Sequence, residues 1–227
     1  MRKRPFVLVA LMALPLIVSC TSLYELKPRT SESLVMDSLN TLHKLKHRKD
    51  LTVFYNMIKD AAGIAIFPSL YKAGFFMGAE GGNGIIVARD TKGNWGYPAF
   101  YTLVGGSWGI QFGAQKAGVV FVIRNRGAVE AILKHQGKFG ADFGIAIGHI
   151  GTGLEGATTT NLAADIYAFS DAKGLFGGVS LEDIAIIRRN DLNQEYYGRK
   201  VSPVSILLEH AHKNTQADPL RASLIEQ

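Results

Sequence analysis

The chain has 227 residues, of which 47% are hydrophobic, 10% aromatic and 19% charged. That composition builds one large globular domain or two small ones and excludes a disordered, low-complexity polymer. The formal net charge is +6, but residues 1–19 hold three basic and no acidic side chains, so the remainder carries only +3, too mild a balance to argue for nucleic-acid binding.

The first twenty residues, "MRKRPFVLVALMALPLIVSC", stand apart from the fold. Arg2, Lys3 and Arg4 precede a 14-residue apolar run from Pro5 to Val18. A bilayer crossing needs about 20 apolar residues, so this run has the form of a secretory signal instead. It ends at Ile17-Val18-Ser19-Cys20, which closely resembles a bacterial lipobox, and Cys20 is the only cysteine in the chain. The expectation is a signal peptide over 1–19, a lipid on Cys20 and a tether over 20–30. The alternative is an ordinary signal peptide with a chance cysteine. Thr21 after the cysteine, by resemblance to the bacterial sorting pattern, directs the anchor to the outer membrane, facing the periplasm. No disulfide forms within a chain that has one thiol.

Helical signals follow the tether. Ser31 or Ser33 is placed to cap a helix with Leu34, Val35, Leu39, Leu42 and Leu45 on one stripe. Asp50 is placed to cap a second, with Val53, Phe54, Met57, Ile58 and Ala61 apolar, and Gly63 stops it or begins a strand. Beyond Gly63, glycine, β-branched and aromatic residues take over. The 25 glycines against 7 prolines fit a sheet with tight turns and closely approaching backbones. Segments anchored on Gly74, Gly106, Gly140 and Gly174 resemble one another, at steps of 32, 34 and 34 residues. Three of them close on Arg89-Asp90, Arg124-Asn125 and Arg189-Asn190. A recurrence of that length marks repeated supersecondary units, here read as β-hairpins, although a glycine-rich sheet also produces it by chance. Helices are expected at 125–136 and at 202–213, the latter with Pro203 just inside a Ser202 cap. From Asn214 the chain turns polar and is expected to fray. The fold class is α+β: N-terminal helices packed on a strongly bent, mainly antiparallel, glycine-rich β-sheet or partial barrel. One domain covers 31–213, with a polar tail over 214–227.

Several patterns invite a chemical reading. Gly105-Gly106-Ser107-Trp108-Gly109 has the G-x-S-x-G form of a nucleophile elbow. An elbow needs a helix directly after the serine, and here alternating strand-like residues follow. His43 and His47 sit at helical i, i+4 spacing for a metal, without an evident third ligand. Glu182-Asp183 reads as a turn, and so does Asn83-Gly84 within the glycine-rich "GAEGGNG". No catalytic residue, metal site or cofactor is expected. The strongest charge feature is "HKLKHRK", His43 to Lys49, where Lys44, Lys46, Arg48 and Lys49 accompany Leu42 and Leu45. Such a stretch suits an anionic lipid surface, at about 1 kcal/mol per cation. It equally suits a solvated helix C-terminus. It begins 23 residues after Cys20, which a lipid on that cysteine would hold near a bilayer.

Six segments in order, "GIAIFP", "KAGFFMGAEGGNGIIVAR", "WGYPAFYTLVGGSWGIQFGAQ", "FGAD", "YAFSDAKGLFGGVSLE" and "NQEYYG", resemble the SYLF domain, also called the Ysc-type actin-binding domain. The resemblance spans residues 51–198. There are departures: Gly148-His149-Ile150-Gly151 stands where the family has Gly-Pro-Val-Gly, and Ser170-Asp171-Ala172 where it often has Ser-Arg-Ser. Asp183 follows "SLE" where a glycine is usual. The resemblance implies a non-enzymatic module that binds anionic or phosphoinositide-type lipid headgroups through a basic N-terminal helix, here the one holding Lys44, Lys46, Arg48 and Lys49. The alternative is an assembly module for another envelope protein, with actin binding carried by the family name alone.

Overall fold

The computed structural model describes residues 30–48, 51–74, 77–108, 113–134, 147–149, 165–171 and 184–225. Two helices open the fold, α1 (Ser31–Lys46) and α2 (Thr52–Asp60). Four long strands follow: β1 (Gly63–Gly74), β2 (Met77–Ala88), β3 (Ala99–Trp108) and β4 (Gly113–Ile123). Then come α3 (Arg126–Lys134), β5 (Ile147–His149), β6 (Ile166–Ser170), β7 (Ile184–Arg188), α4 (Asn190–Tyr197) and α5 (Pro203–Leu207). A 3₁₀ turn (Thr215–Ala217) leads into α6 (Asp218–Ile225).

The strands form one open sheet in the order β5-β6-β4-β1-β2-β3-β7. Among the described residues every strand pairing is antiparallel except β5 with β6. The α+β expectation therefore holds, with a sheet that does not close into a barrel. The strands read as nearly continuous apolar runs because both faces are covered. Ala65, Phe67, Val119, Phe121 and Ile123 face α3 and α5. Their alternates Ile64, Ile66, Val120 and Val122 join Leu34, Leu42, Leu45, Phe54, Tyr196 and Leu220 from α1, α2, α4 and α6.

The bend in the sheet has a local cause. Between Phe67 and Leu70, β1 carries one residue more than β4, and the β1–β2 register shifts at the same place. This is a β-bulge centred on Pro68-Ser69, where the missing proline N–H takes nothing from the ladder. β2 accepts the bulge because Gly82 and Gly84 present no side chains to it. A Cβ at Gly82 would overlap the Ser69 carbonyl, and one at Gly84 would overlap the Ile66 carbonyl and the Phe67 ring.

Four readings are corrected. Asn83-Gly84 is not a turn but lies inside β2, opposite Thr102 and Tyr101 of β3. The recurring units are not all hairpins: β1 and β2 pair with each other, but β3 pairs with β2 and β7, and β4 with β1 and β6. The helix begun at Pro203 ends at Leu207, and His210 takes a left-handed conformation with φ 52°. From Asn214 the chain does not fray. The Asn214 side chain accepts from Gln216 N, and α6 seats Leu220 and Leu224 in the core against α1.

Candidate functional site

α1 is fixed at both ends. Thr30 caps it by accepting from Ser33 N at 3.2 Å, one residue before the serines considered from sequence. Ser31 donates from N and from Oγ to Glu195 of α4, both at 2.9 Å. At the other end Thr41 packs on Gly118 of β4, where any side chain would collide with it. Asp171 ties this region together. Its Oδ1 accepts from Gly118 N at 2.7 Å, while its carbonyl and that of Ser170 accept from Arg48 at 3.1 and 3.3 Å. The departure from the family's Ser-Arg-Ser thus places an acceptor beneath the end of α1.

Of the four cations singled out in the sequence, the three that are described do not share a face. Lys44 is exposed. Lys46 is half-buried and donates to the Ser223 carbonyl of α6 at 2.7 Å. Arg48, past the helix end, turns toward β6. Lys49 lies outside the described residues, as do Cys20 and Glu182-Asp183. Two positions along a helix rotate a side chain by about 200°, so Lys44 and Lys46 point to different sides.

A cleft lies on each of those sides. The first, about 590 Å³, is lined by Asp37, His43, Lys44 and His47 of α1, by the bulge residues Pro68 and Ser69, and by Lys116 of β4. Beside it Lys116 Nζ stands 5.5 Å from the ring centre of Tyr71, which is 47% exposed. Its cations reach solvent. The second, about 350 Å³, lies between α2, the β2–β3 connection and α6. Lys46, Lys59, Arg89 and Arg221 line it together with Tyr55 and Trp95. Arg89 stacks on Trp95 at 4.5 Å and donates to the carbonyls of Gly93, Ile58 and Lys59, the last two at the C-terminus of α2. Burial pushes the Arg89 pKa down, with Asp60 opposing. Arg221 donates to the Trp95 carbonyl, to Tyr97 Oη and to Asp218. Tyr97 in turn donates to Asp218 at 2.8 Å, and that bond, ahead of Arg221, holds the Asp218 carboxyl below its usual range. Lys59, Arg89, Lys116 and Arg221 were not singled out from the sequence as site residues. Arg89 was noted only as a strand closure, and nothing local marks the other three.

The remaining chemical readings resolve structurally. Ser107 lies within β3, opposite Gly78, and the strand continues to Trp108, so the sharp strand-to-helix turn of an elbow is absent at the serine. His47 Nδ1 lies 2.8 Å from the His43 carbonyl, and no group of three metal-binding side chains occurs among the described residues. A Ser–His contact does occur, between Ser205 Oγ and His212 Nε2 at 2.9 Å. Its polarity is opposite to that of a general base. Arg199 stands 3.0 Å from His212 Nδ1 and is always a donor, so Nδ1 accepts and Nε2 carries the proton. The Ser205 hydroxyl donates to the Ser202 carbonyl at 2.8 Å. The contact locks the segment after α5.

Two clefts lined by cations flank α1 on one sheet. The family model for Ysc84, a Las17-binding protein actin regulator, matches residues 104–227. The chain belongs to that family, in agreement with the SYLF resemblance. It is 33% identical over 166 residues to the human SH3 domain-containing YSC84-like protein 1, covering 73% of this chain and 48% of that protein. It is 32% identical over 167 residues to the Xenopus laevis protein of the same name, covering 73% and 50%. It is also 32% identical over 168 residues to LAS seventeen-binding protein 3 of Saccharomyces cerevisiae, covering 73% and 36%. The chain therefore spans half or less of the length of these relatives.

Proposed function

We propose that this chain is a non-enzymatic, lipid-anchored module of the cell envelope that reads anionic phospholipid surfaces. In this reading Cys20 carries the lipid and holds the domain at the outer membrane, facing the periplasm. The observation that carries it is the pairing of exposed Lys44 and Lys116 across one open cleft, with the half-exposed Tyr71 ring beside them. Two exposed cations with an amphipathic aromatic neighbour suit a charged interface, where a cation contributes about 1 kcal/mol, although Asp37 lines the same cleft. Lys46 and Arg48 serve instead to hold α1 in place, and Lys49 is retained as a contributor from sequence alone.

Flotation tests this reading. The chain from Thr21 onward, without its lipid, should float with anionic vesicles at low salt and sink at high salt or with neutral vesicles. Failure to float on any vesicle would leave Cys20 as the sole membrane contact. A second reading, an assembly module for another envelope protein, draws support from the yeast relative, whose name describes protein binding. It predicts a co-purifying partner whose retention is indifferent to Lys44→Gln and Lys116→Gln.

A further inference from the structure

A third cleft, of about 390 Å³, opens on the other side of α2 and shares no lining residue with the two beside α1. One wall is Val53, Asn56, Met57 and Asp60, which recur at three- and four-residue steps along one side of α2. Facing them are Arg124, just past the end of β4, and Tyr167 of β6, the strand that pairs with β4. The base is apolar: Val53 and Met57 are half-buried and Tyr167 is buried. The Arg124 guanidinium lies over the Tyr167 ring at 6.0 Å, which keeps a cation on that wall. Asp60 is the last residue of α2, is exposed, and accepts no hydrogen bond at its carboxyl among the described residues. It acts on Arg89 through space, while Arg89 itself donates to the Ile58 and Lys59 carbonyls. A carboxylate at a helix C-terminus meets the negative end of the dipole, so its place there costs stability and is relieved by a cation. Local rules of this kind are broken most often at functional sites.

We infer that this cleft binds a small zwitterion of the α-amino acid class with an apolar side chain, free or at the end of a short peptide. The ligand carboxylate meets Arg124, its ammonium meets Asp60, and its side chain packs on Val53, Met57 and Tyr167. A guanidinium is the side chain best shaped for a carboxylate, and both contacts are charge-assisted. The ammonium also compensates the end of α2, which Asp60 alone burdens. A mostly apolar cleft with a few polar groups of fixed sign, at about 390 Å³, is of the size that takes a small molecule. One cation and one anion on facing walls disfavour a ligand of single charge, which sets this cleft apart from the two cationic ones. The inference does not depend on the membrane reading.

The test is calorimetric titration of the full chain, held in nanodiscs of neutral lipid, with L-leucine and with the dipeptide leucyl-leucine. Saturable binding of at least one is expected. N-acetyl-leucine, which lacks the ammonium, and leucinamide, which lacks the carboxylate, should each bind about tenfold more weakly than leucine, as loss of one charge-assisted contact implies. Asp60→Asn should weaken leucine about tenfold and leave N-acetyl-leucine unchanged. Arg124→Gln should weaken leucine and leave leucinamide unchanged. Both residues are exposed, and the two analogues read the same charges on the unaltered chain. Lys44→Gln with Lys116→Gln should leave leucine binding as it is, which separates this cleft from the membrane surface. Tighter binding of leucine than of leucyl-leucine identifies a free amino acid as the ligand, and the reverse identifies a peptide end. The inference is overturned if neither probe binds saturably, if leucine and its two analogues bind equally, or if both single variants bind leucine as the parent does.

Discussion

Both clefts beside α1 are walled by cations, yet the two sets are held in different ways. Around the β1 bulge, Lys44 and Lys116 project into solvent from a helix and a strand. Around α6, Arg89 and Arg221 are spent largely on backbone carbonyls and aromatic rings. The first arrangement keeps its ammonium groups at the surface and adapts to a diffuse field. The second is part of the frame and fixes donors at a point. Charge counted along the sequence cannot separate these duties, because the difference lies in what each side chain meets across the fold.

The largest effect is expected where the open cleft meets the sheet. Gly82→Ala should force a methyl into the Ser69 carbonyl, with Leu70 Cα only 3.2 Å from the new atom. Both are backbone atoms, so relief requires the bulge to move. The expected loss is about 3 kcal/mol of stability, at the upper end for overpacking, read as a lower urea midpoint at unchanged m-value. A midpoint within error of the parent would mean that the bulge is not seated on β2 as described.

Arg89→Ala probes the frame of the other cleft. It removes three charge-assisted bonds and a stack on Trp95, and strands the Ile58 and Lys59 carbonyls at the end of α2. The side chain is only partly buried and water would replace some of these bonds, so a loss of about 2 kcal/mol is expected in the same denaturation assay. The contrast is sharpest with Lys44→Gln combined with Lys116→Gln. Stability should stay within about 0.5 kcal/mol, as for ordinary surface changes. Affinity for anionic vesicles should fall about 30-fold, from two charges at about 1 kcal/mol each. Equal vesicle binding by the double variant would remove the open cleft from the membrane contact.

Much of this frame was legible in the sequence. The stripe Leu34, Val35, Leu42, Leu45 marked α1, and the apolar runs marked β1 to β4, since long elements repeat their period. The rest was hidden for physical reasons. α6 is short and polar in composition, and its buried Leu220 and Leu224 make too small a stripe to detect before α1 is known to lie beneath it. α4 passed unnoticed inside the motif "NQEYYG", although Gly198, at φ 67°, is a left-handed helix stop. Asn83-Gly84 has the signature of a hairpin turn, but Gly84 is there to admit the Ile66 carbonyl and the Phe67 ring. Asn83 Oδ1 accepts instead from Thr102 and Arg189. The basic cluster at the end of α1 is plain in the sequence, but which side Lys44, Lys46 and Arg48 face depends on helix phase, on the helix ending at Lys46, and on carbonyls supplied from residues 170, 171 and 223.

The smallest effect follows from acidification, and it should act on one cleft's frame and not on the other. α6, which brings Arg221 to the second cleft, is joined to α5 through the segment holding His210 and His212. Burial lowers the pKa of both below the ordinary value of 6.5. For His212 the Arg199 guanidinium adds to this, and for His210 Arg126 and Arg221 add while Asp90 opposes. A histidine with a depressed folded-state pKa binds its proton more readily when unfolded, so stability is full above about 6.5 and declines as pH falls through that value. Protonation of His212 also turns Nδ1 into a donor facing the Arg199 donor, which ends that contact. Denaturation at pH 7.5 and 5.5 should therefore show a modest loss at the lower pH, and His212→Gln should flatten the difference. Vesicle binding through Lys44 and Lys116 should not weaken over the same interval. A pH slope unchanged by His212→Gln would assign the titration to His210, and one unchanged by His212→Gln and His210→Gln together would place it outside the α5–α6 segment.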